Sequence, residues 1–278
     1  MAVRCFLLTA SGLDEVQSAA QTLNALSEQL PRGAYTTFRT YHGDRVLHLD
    51  DHLDRLIESA AIEGQAITHD RRQARTALAE ALARCGLPES RVRLTLSYDP
   101  PGTFYIALEP FAELPEHLYR AGVRCAVATP DLHRQLPRAK STNFITPAAR
   151  ARRAAPDVEE VLLLDAHGAL LEGSSSNFFA VLDGVLRTAD EGVLAGTTRA
   201  MALALAADLL PCVLQPITIA DLPRISEAFI TSVSRPVLPV VEIEGVTIGA
   251  GVPGVYSVEL HRRMREQIEQ EAEPVMPA

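Results

Sequence analysis

Lysine is almost missing from this chain. Of 26 cationic side chains, 25 are arginine and one is lysine, Lys140. There is no tryptophan, and the four cysteines (Cys5, Cys85, Cys125 and Cys212) stand far apart with no C-x-x-C pair. No apolar run reaches the roughly 18 residues of a membrane span. Each absence excludes something. Without tryptophan there is no indole-lined cage for a quaternary ammonium ligand. Scattered cysteines build neither a disulfide framework nor a thiolate zinc site, and they fit free thiols in a reducing cytoplasm. Residues 1–10 carry one Arg and a very short apolar stretch, without the h-region and cleavage site of a signal peptide. A formal net charge of −9 argues against nucleic acid as the main partner. The lone lysine has two readings. It is a chance survivor in an arginine-biased sequence, or its amine does what a guanidinium cannot. Arginine stays protonated, whereas a desolvated lysine loses its proton and forms Schiff bases.

What is present is ordinary for a globular chain: 278 residues, 47% hydrophobic and 22% charged. That length predicts one to two domains with a sizeable core. Apolar residues at helical spacing predict a helix over 14–30, ended by Pro31. Strands are expected at 34–41 and 45–48 around a His42-Gly43-Asp44 turn, helices at 50–60 and 71–84, and strands at 91–97 and 103–108. This first part reads as α+β, and residues 114–122 read as a linker. Beyond them come a strand at 123–128, a helix over 142–155 interrupted near Pro147, and strands at 160–164, 169–171, 178–182 and 185–188. Asp183-Gly184 is a strong hairpin signal. A helix at 198–210, strands at 213–217, 228–231 and 237–243, and an amphipathic helix at 255–271 complete the chain.

Three motifs mimic known sites. Gly249-Ala-Gly251-Val-Pro-Gly254 spells G-x-G-x-x-G, but it contains a proline and no βαβ unit fits after it, so it reads as a loop. His48-x-x-x-His52 would need a third ligand and helix through His48, which reads as strand, so no metal site is expected. Gly173-Ser174-Ser175-Ser176 lacks the second glycine of a nucleophile elbow.

A different set of residues carries chemistry. Lys140 sits in Arg138-Ala-Lys140-Ser-Thr-Asn143, past the strand that begins the second domain. Further on, Leu171-Glu172-Gly173-Ser-Ser-Ser176-Asn177 places an acid at a strand end, followed by a run of hydroxyls. Leu194-Ala-Gly196-Thr197-Thr198-Arg199 opens a helix, a position suited to an anion. Thr231-Ser232-Val-Ser234 is a second hydroxyl-rich strand exit, and Arg55 lies on a helix face. An amine nucleophile, a carboxylate and an anion cradle are the parts that pyridoxal phosphate needs for its aldehyde, ring nitrogen and phosphate.

These stretches resemble the fold-type IV, class IV pyridoxal-phosphate family of D-amino-acid aminotransferases, branched-chain aminotransferases and aminodeoxychorismate lyase. The likeness runs from about Gly33 to about Leu260. It is strongest at His52-Leu-Asp54-Arg55-Leu56, Lys140-x-x-Asn143, Glu172-Gly-Ser-Ser-Ser-Asn177, Leu194-x-Gly196-x-Thr198-Arg199 and Pro236-Val-x-Pro239-Val240. The resemblance implies an α+β fold, with a small N-terminal domain over 1–113 and a larger C-terminal domain over 123–278 built on a β-barrel-like core. It implies pyridoxal 5'-phosphate as cofactor, a site between the domains and a homodimer in the cytoplasm. It implies transfer of an amino group between a small-molecule amino acid and a 2-oxo acid, with no nucleic acid or membrane partner. By the same resemblance Lys140 forms the Schiff base and moves the proton. Glu172 pairs with the ring nitrogen, Leu194 packs under the ring, and Arg55, Thr197, Thr198 and Ser232 hold the phosphate. Tyr35, Arg39 and Arg93 are candidate contacts for a substrate carboxylate, although an alternating strand also sends such residues to solvent.

The pattern departs from the family in three places. The helix expected over 14–30 replaces the family's opening strand hairpin. Val233 offers no hydroxyl where many relatives have a threonine. The Arg-x-His pair that grips the substrate in D-amino-acid aminotransferase is absent from 97–103. The spacing Lys140-x-x-Asn143 matches the D-amino-acid and lyase branch. Tyr35-Thr36-Thr37 leans toward the lyase, and Glu172-Gly-Ser-Ser-Ser-Asn177 toward the aminotransferases. An aminotransferase is the reading taken here, with the lyase or a non-catalytic member as alternatives. The loops at 97–103 and 130–138 are where substrate choice is expected to lie.

Overall fold

The chain opens with two antiparallel strands, β1 (Arg4–Thr9) and β2 (Gly12–Val16), so the helix expected over 14–30 does not form as such. Only α1 (Leu23–Ser27) is helical there, with the Thr22 side chain accepting from the Ala25 N–H at its start. The apolar positions that suggested a long helix are nonetheless buried: Ala20, Leu23 and Leu26 pack with Val3, Cys5 and Ala107. Pairing with a neighbouring strand outweighs local periodicity here. An opening strand hairpin is thus present, as the resemblance implied, and the helix expected in its place is not.

The structure is a computed structural model that describes residues 3–129 and 131–277; Pro130, at the start of one expected specificity loop, lies outside the described residues. Its contacts divide the chain into two units. The first is Met1–Ala112 with Arg138–Thr146 and Ile268–Ala278, and the second is Glu113–Pro137 with Pro147–Gln267. The division differs from the expected one in a way that matters: the segment bearing Lys140 belongs with the first unit, not the second.

In the first unit, β3 (Gly33–Arg39), β4 (Arg45–Val46), α2 (Leu49–Ile62), α3 (Arg71–Cys85), β5 (Ser90–Tyr98) and β6 (Pro101–Pro110) follow the hairpin. Five strands form one antiparallel sheet in the order β2-β1-β6-β5-β3. Alternation divides β5 between two faces. Val92, Leu94 and Leu96 join Phe38, Leu53, Leu56 and Leu78 in the core with α2 and α3. The opposite-facing Arg93 is covered by α1 and is also buried.

The second unit contains α4 (Glu116–Ala121), β7 (Val123–Val127), β8 (Glu160–Leu164), β9 (Leu170–Gly173), β10 (Asn177–Leu182), β11 (Val185–Arg187), β12 (Cys212–Val213), β13 (Ile225–Ser232), β14 (Arg235–Ile243) and β15 (Val246–Thr247). Its helices also include most of α5 (Ile145–Ala154), α6 (Thr197–Ala206) and most of α7 (Val255–Glu271). A final short strand, β16 (Glu273–Pro274), returns to pair with β4 in the first unit. The expected linker is therefore helical over Glu116–Ala121, and the strand expected at 213–217 shrinks to Cys212–Val213. Strands β10, β13, β14, β7, β8 and β9 pair in succession, and β9 pairs back to β10 through Glu172 and Asn177. That closes six strands into a barrel-like sheet filled by Leu162, Phe178, Ala180, Ile230, Leu238 and Val240. Among the described residues no helix is long and apolar enough to cross a membrane.

Candidate active site

Lys140 is held by its backbone from two sides. Its carbonyl accepts from the Tyr35 N–H at 2.9 Å, and its N–H donates to Ser59 Oγ of α2 at 3.0 Å. Ser141 bridges to Ala34, and Thr142 Oγ1 accepts from the Gly33 N–H at 3.1 Å. The segment thus covers the exposed edge of β3, where unpaired backbone groups would otherwise need water. The Lys140 Nζ lies 4.9 Å from the centre of the Tyr35 ring, within cation–π reach.

The Arg93 guanidinium lies 4.9 Å from the same ring. Its donors are engaged by the chain: Nη1 with the Leu23 carbonyl and Ser27 Oγ, Nη2 with Asn24 Oδ1, and Nε with Thr37 Oγ1. Arg39 pairs with Glu89 and stacks 3.6 Å over the Phe111 ring. Both arginines, expected as substrate contacts or on a solvated face, are buried and bonded within the first unit.

Arg55 is buried in α2. Its Nη2 donates to Thr36 Oγ1 at 2.6 Å and meets His52 Nδ1 at 3.1 Å, while Thr36 Oγ1 and His52 Nδ1 are 2.9 Å apart. A guanidinium only donates, so Nδ1 is the accepting nitrogen and the proton belongs on Nε2. Burial, then the charges of Arg55 and Lys140, holds the His52 ring well below its ordinary pKa. Of the two histidines spaced i, i+4, His52 faces Thr36 and His48 pairs with Glu271. Among the described residues no group of three His, Cys, Asp or Glu could hold a metal ion.

In the second unit, Glu172 is 2% exposed at the barrel closure. Its Oε1 accepts from Arg134 Nε at 2.7 Å; its Oε2 accepts from the Leu194 N–H at 3.1 Å and from Asn177 Nδ2 at 3.3 Å. Asn177 Nδ2 also donates to the Leu194 carbonyl at 2.9 Å, which ties the expected ring-supporting Leu194 to the acid. A carboxylate offers about four lone-pair sites. Three are filled, so Glu172 keeps room for one further donor such as a protonated ring nitrogen.

The anion cradle is close at hand in sequence. Gly196 precedes the first turn of α6, which carries Thr197 and Thr198 and no acidic residue. A β-carbon at Gly196 would collide with Asn177 Oδ1, so only glycine lets the amide lie there. Ser232 ends β13, next to Thr231 and the turn to β14. Thr231 Oγ1 and Ser234 Oγ are buried without a hydrogen-bond partner. Buried hydroxyls that remain unsatisfied cost free energy, and an anionic oxygen would satisfy them. The residues therefore fit pyridoxal 5'-phosphate: a carboxylate with one acceptor site left for the ring, and hydroxyls left for the phosphate.

Residues 33–243, well over half the chain, match the family model for amino-transferase class IV. The chain belongs to the class IV aminotransferases. Like its family, this enzyme uses pyridoxal 5'-phosphate to move an amino group between an amino acid and a 2-oxo acid. It is 28% identical over 251 residues to a branched-chain-amino-acid aminotransferase of Pseudomonas aeruginosa, covering 83% of this chain and 82% of that protein. It is 26% identical over 292 residues to a D-alanine aminotransferase of Listeria monocytogenes, covering 95% and 96% of the two. The fold matches the branched-chain aminotransferase of the archaeon Thermoproteus uzoniensis, solved with norvaline, with a TM-score of 0.76 and 27% identity. That match covers 98% of this chain and 99% of the other.

The aminotransferase's expected residues divide between its units. Lys140, Arg55, Tyr35, Arg39 and Arg93 lie in the first; Glu172, Leu194, Thr197, Thr198 and Ser232 lie in the second. Sequence reasoning missed the residues that hold them. Arg134 gave no signal of its own; His52 and Thr36 stood in quoted motifs, but as a metal decoy and a mark of family branch and not as partners of Arg55. Asn177 stood in a quoted motif without a role. Glu160, a carboxylate opening an otherwise apolar strand, was a sign that could have been read.

Proposed function

We propose that this aminotransferase works through Lys140 as its catalytic amine, with Glu172 on the cofactor's ring nitrogen and Leu194 beneath the ring. Arg55, Thr197, Thr198 and Ser232 hold the phosphate. The observation that carries this reading is Glu172, a buried carboxylate held by Arg134, Asn177 and the Leu194 N–H with one acceptor site to spare. Bound pyridoxal 5'-phosphate supplies an aldehyde for amine exchange and a ring that accepts electrons. The chain's own residues supply the rest. Lys140 Nζ would be the amine that binds the cofactor's aldehyde, and it would also be the base for the substrate's α-proton and the acid that returns it. Glu172 would hold the proton on the ring nitrogen. Tyr35, beside Lys140, contacts the substrate, while Arg39 and Arg93 brace the strands around it.

Neutral aliphatic amino acids are the donors we favour, a reading supported by relatives named as branched-chain and D-alanine aminotransferases. A homodimer in the cytoplasm is part of the same reading. The family resemblance supports the dimer, and four cysteines without disulfides support the compartment.

The test uses borohydride to fix the cofactor to the protein. Wild type yields one labelled peptide, the one containing Lys140, because the only other amine is at the N-terminus. Label retained by Lys140→Ala sinks the assignment. A donor screen then reads amino transfer to a 2-oxo acid. Pyruvate released from aminodeoxychorismate without an acceptor would identify a lyase instead.

A further inference from the structure

The serine run after Glu172 remains unexplained by cofactor binding. Ser174, Ser175 and Ser176 do not point to a common ligand; all three hydroxyls donate to one side chain, Glu160. Ser174 Oγ lies 2.6 Å from Oε1, and Ser175 Oγ and Ser176 Oγ lie 2.7 and 2.9 Å from Oε2. The Val161 N–H adds a bond to Oε1 at 3.0 Å, and Arg235 Nη2 adds one to Oε2 at 3.0 Å. Glu160 is 0% exposed and Arg235 is 11% exposed. Burial alone pushes the carboxyl's pKa up, but Arg235 and the serines outweigh it and leave the group below its ordinary value, hence ionised. Isolating a charge this deeply is costly, and a complete set of donors offsets it. Gly173 belongs to the same arrangement, since a β-carbon there would collide with Ser176 Oγ and crowd the Glu160 side chain.

The carboxylate joins two stretches of the barrel. On one side, Gly173–Ser176 lies between Glu172 and Asn177, the ring-nitrogen acid and the amide that orients it. On the other, Arg235 is the first residue of β14 and pairs in register with Ser232 of the proposed phosphate cradle. Arg235 Nη2 also donates to Ser175 Oγ at 2.8 Å, and its Nε makes a long 3.5 Å contact with Ser232 Oγ.

We propose that Glu160 is a positioning residue that sets the spacing between Glu172 and the Ser232–Ser234 turn, so that one cofactor molecule can meet both ends at once. Ser174, Ser175 and Ser176 are then the hydroxyls that hold this buried carboxylate, and Gly173 leaves room for them. The proposal rests on Glu172 and Ser232 being cofactor contacts.

Apoenzyme is titrated with pyridoxal 5'-phosphate and with pyridoxal, which lacks the phosphate, and the two dissociation constants are compared. In wild type the phosphorylated form binds more tightly by a ratio that reports both ends acting together. Glu160→Gln keeps the shape and removes the charge. It is expected to shrink that ratio about tenfold, because the phosphate seat no longer sits at the right distance. Arg235→Lys, at a less buried position, keeps the charge but cannot reach Ser175 and Glu160 together. It is expected to shrink the ratio about threefold and provides the reading if Glu160→Gln does not fold. A role in folding alone would lower Tm in either variant and leave the ratio at the wild-type value; that result overturns the proposal. Glu172→Gln is the control for the underlying reading. If it leaves both affinities unchanged, the site assignment fails. If it weakens binding while Glu160→Gln and Arg235→Lys leave the ratio alone, only the positioning role fails.

Discussion

Asn177 Nδ2 donates to Glu172 Oε2 and to the Leu194 carbonyl, at 3.3 and 2.9 Å, from the register position where β9 meets β10. One amide thus closes the barrel and orients the acid. Asn177→Ala leaves the buried Leu194 carbonyl without that donor and loosens Glu172. An orphaned buried acceptor costs about 1–3 kcal/mol. We expect a lower Tm and cofactor affinity weakened about tenfold, where tenfold corresponds to about 1.4 kcal/mol. An equilibrium titration with pyridoxal 5'-phosphate checks it.

Gly196→Ala tests the same amide from the other side. The new methyl collides with Asn177 Oδ1 beside the first turn of α6. The amide must turn away, so Glu172 and the Thr197–Thr198 end of the cradle are disturbed together. Cofactor binding is expected to weaken several-fold, with both pyridoxal 5'-phosphate and inorganic phosphate as ligands. Unchanged binding of both would show that the cradle does not depend on this close approach.

Arg93 distinguishes a strut from a substrate contact. Its guanidinium bonds the Leu23 carbonyl, Ser27, Asn24 and Thr37. Arg93→Met removes all four bonds and leaves their partners buried. The loss is expected to be about 3 kcal/mol by analogy with other broken buried polar networks, read by urea unfolding. If Arg93 instead gripped the substrate, the main effect would be a raised KM at nearly unchanged stability.

Acid should unfold the protein partly through His52. The ring is neutral in the fold, with its pKa depressed by burial and by the Arg55 and Lys140 charges. In the unfolded chain it titrates near its ordinary value, about 6.5. Above that pH both states carry neutral His52 and its contribution is fully present. Below it the unfolded state binds a proton that the folded state refuses, so stability falls by up to about 1.4 kcal/mol per pH unit. Tm measured from pH 7.5 down to 5 should drop more steeply for wild type than for His52→Gln. Parallel curves would show that His52 is not the group responsible.

Lys140→Arg separates charge from chemistry. Arginine keeps a cation near the Tyr35 ring, so the fold should hold to within about 0.5 kcal/mol, as for a change that disrupts no buried feature. It offers no nucleophilic amine. Amino transfer is expected to fall at least about a thousand-fold, in single-turnover measurements with saturating cofactor.

The sequence by itself determined the local elements and the chemical inventory. Helices α2, α3 and α7 were legible because each carries its own apolar period, and the β10–β11 hairpin because Asp183-Gly184 accepts the positive φ values its turn requires, 52° and 76°. The single lysine and the order of acid, glycine and hydroxyls named the cofactor without any coordinates. Tertiary structure decided what holds those groups. Residues 14–16 took strand over helix because β1 was available to pair with them. Lys140 packs on β3 because its carbonyl meets the N–H of Tyr35, 105 residues earlier in the chain. Arg93 is bonded by Leu23, Asn24 and Ser27 because α1 covers it, and the serine run meets Glu160 because the barrel brings β8 beside it. Periodicity and turn chemistry act over a few residues and can be read in place. Partners for a buried charge are chosen by packing between distant segments, and that choice exists only once the chain has folded.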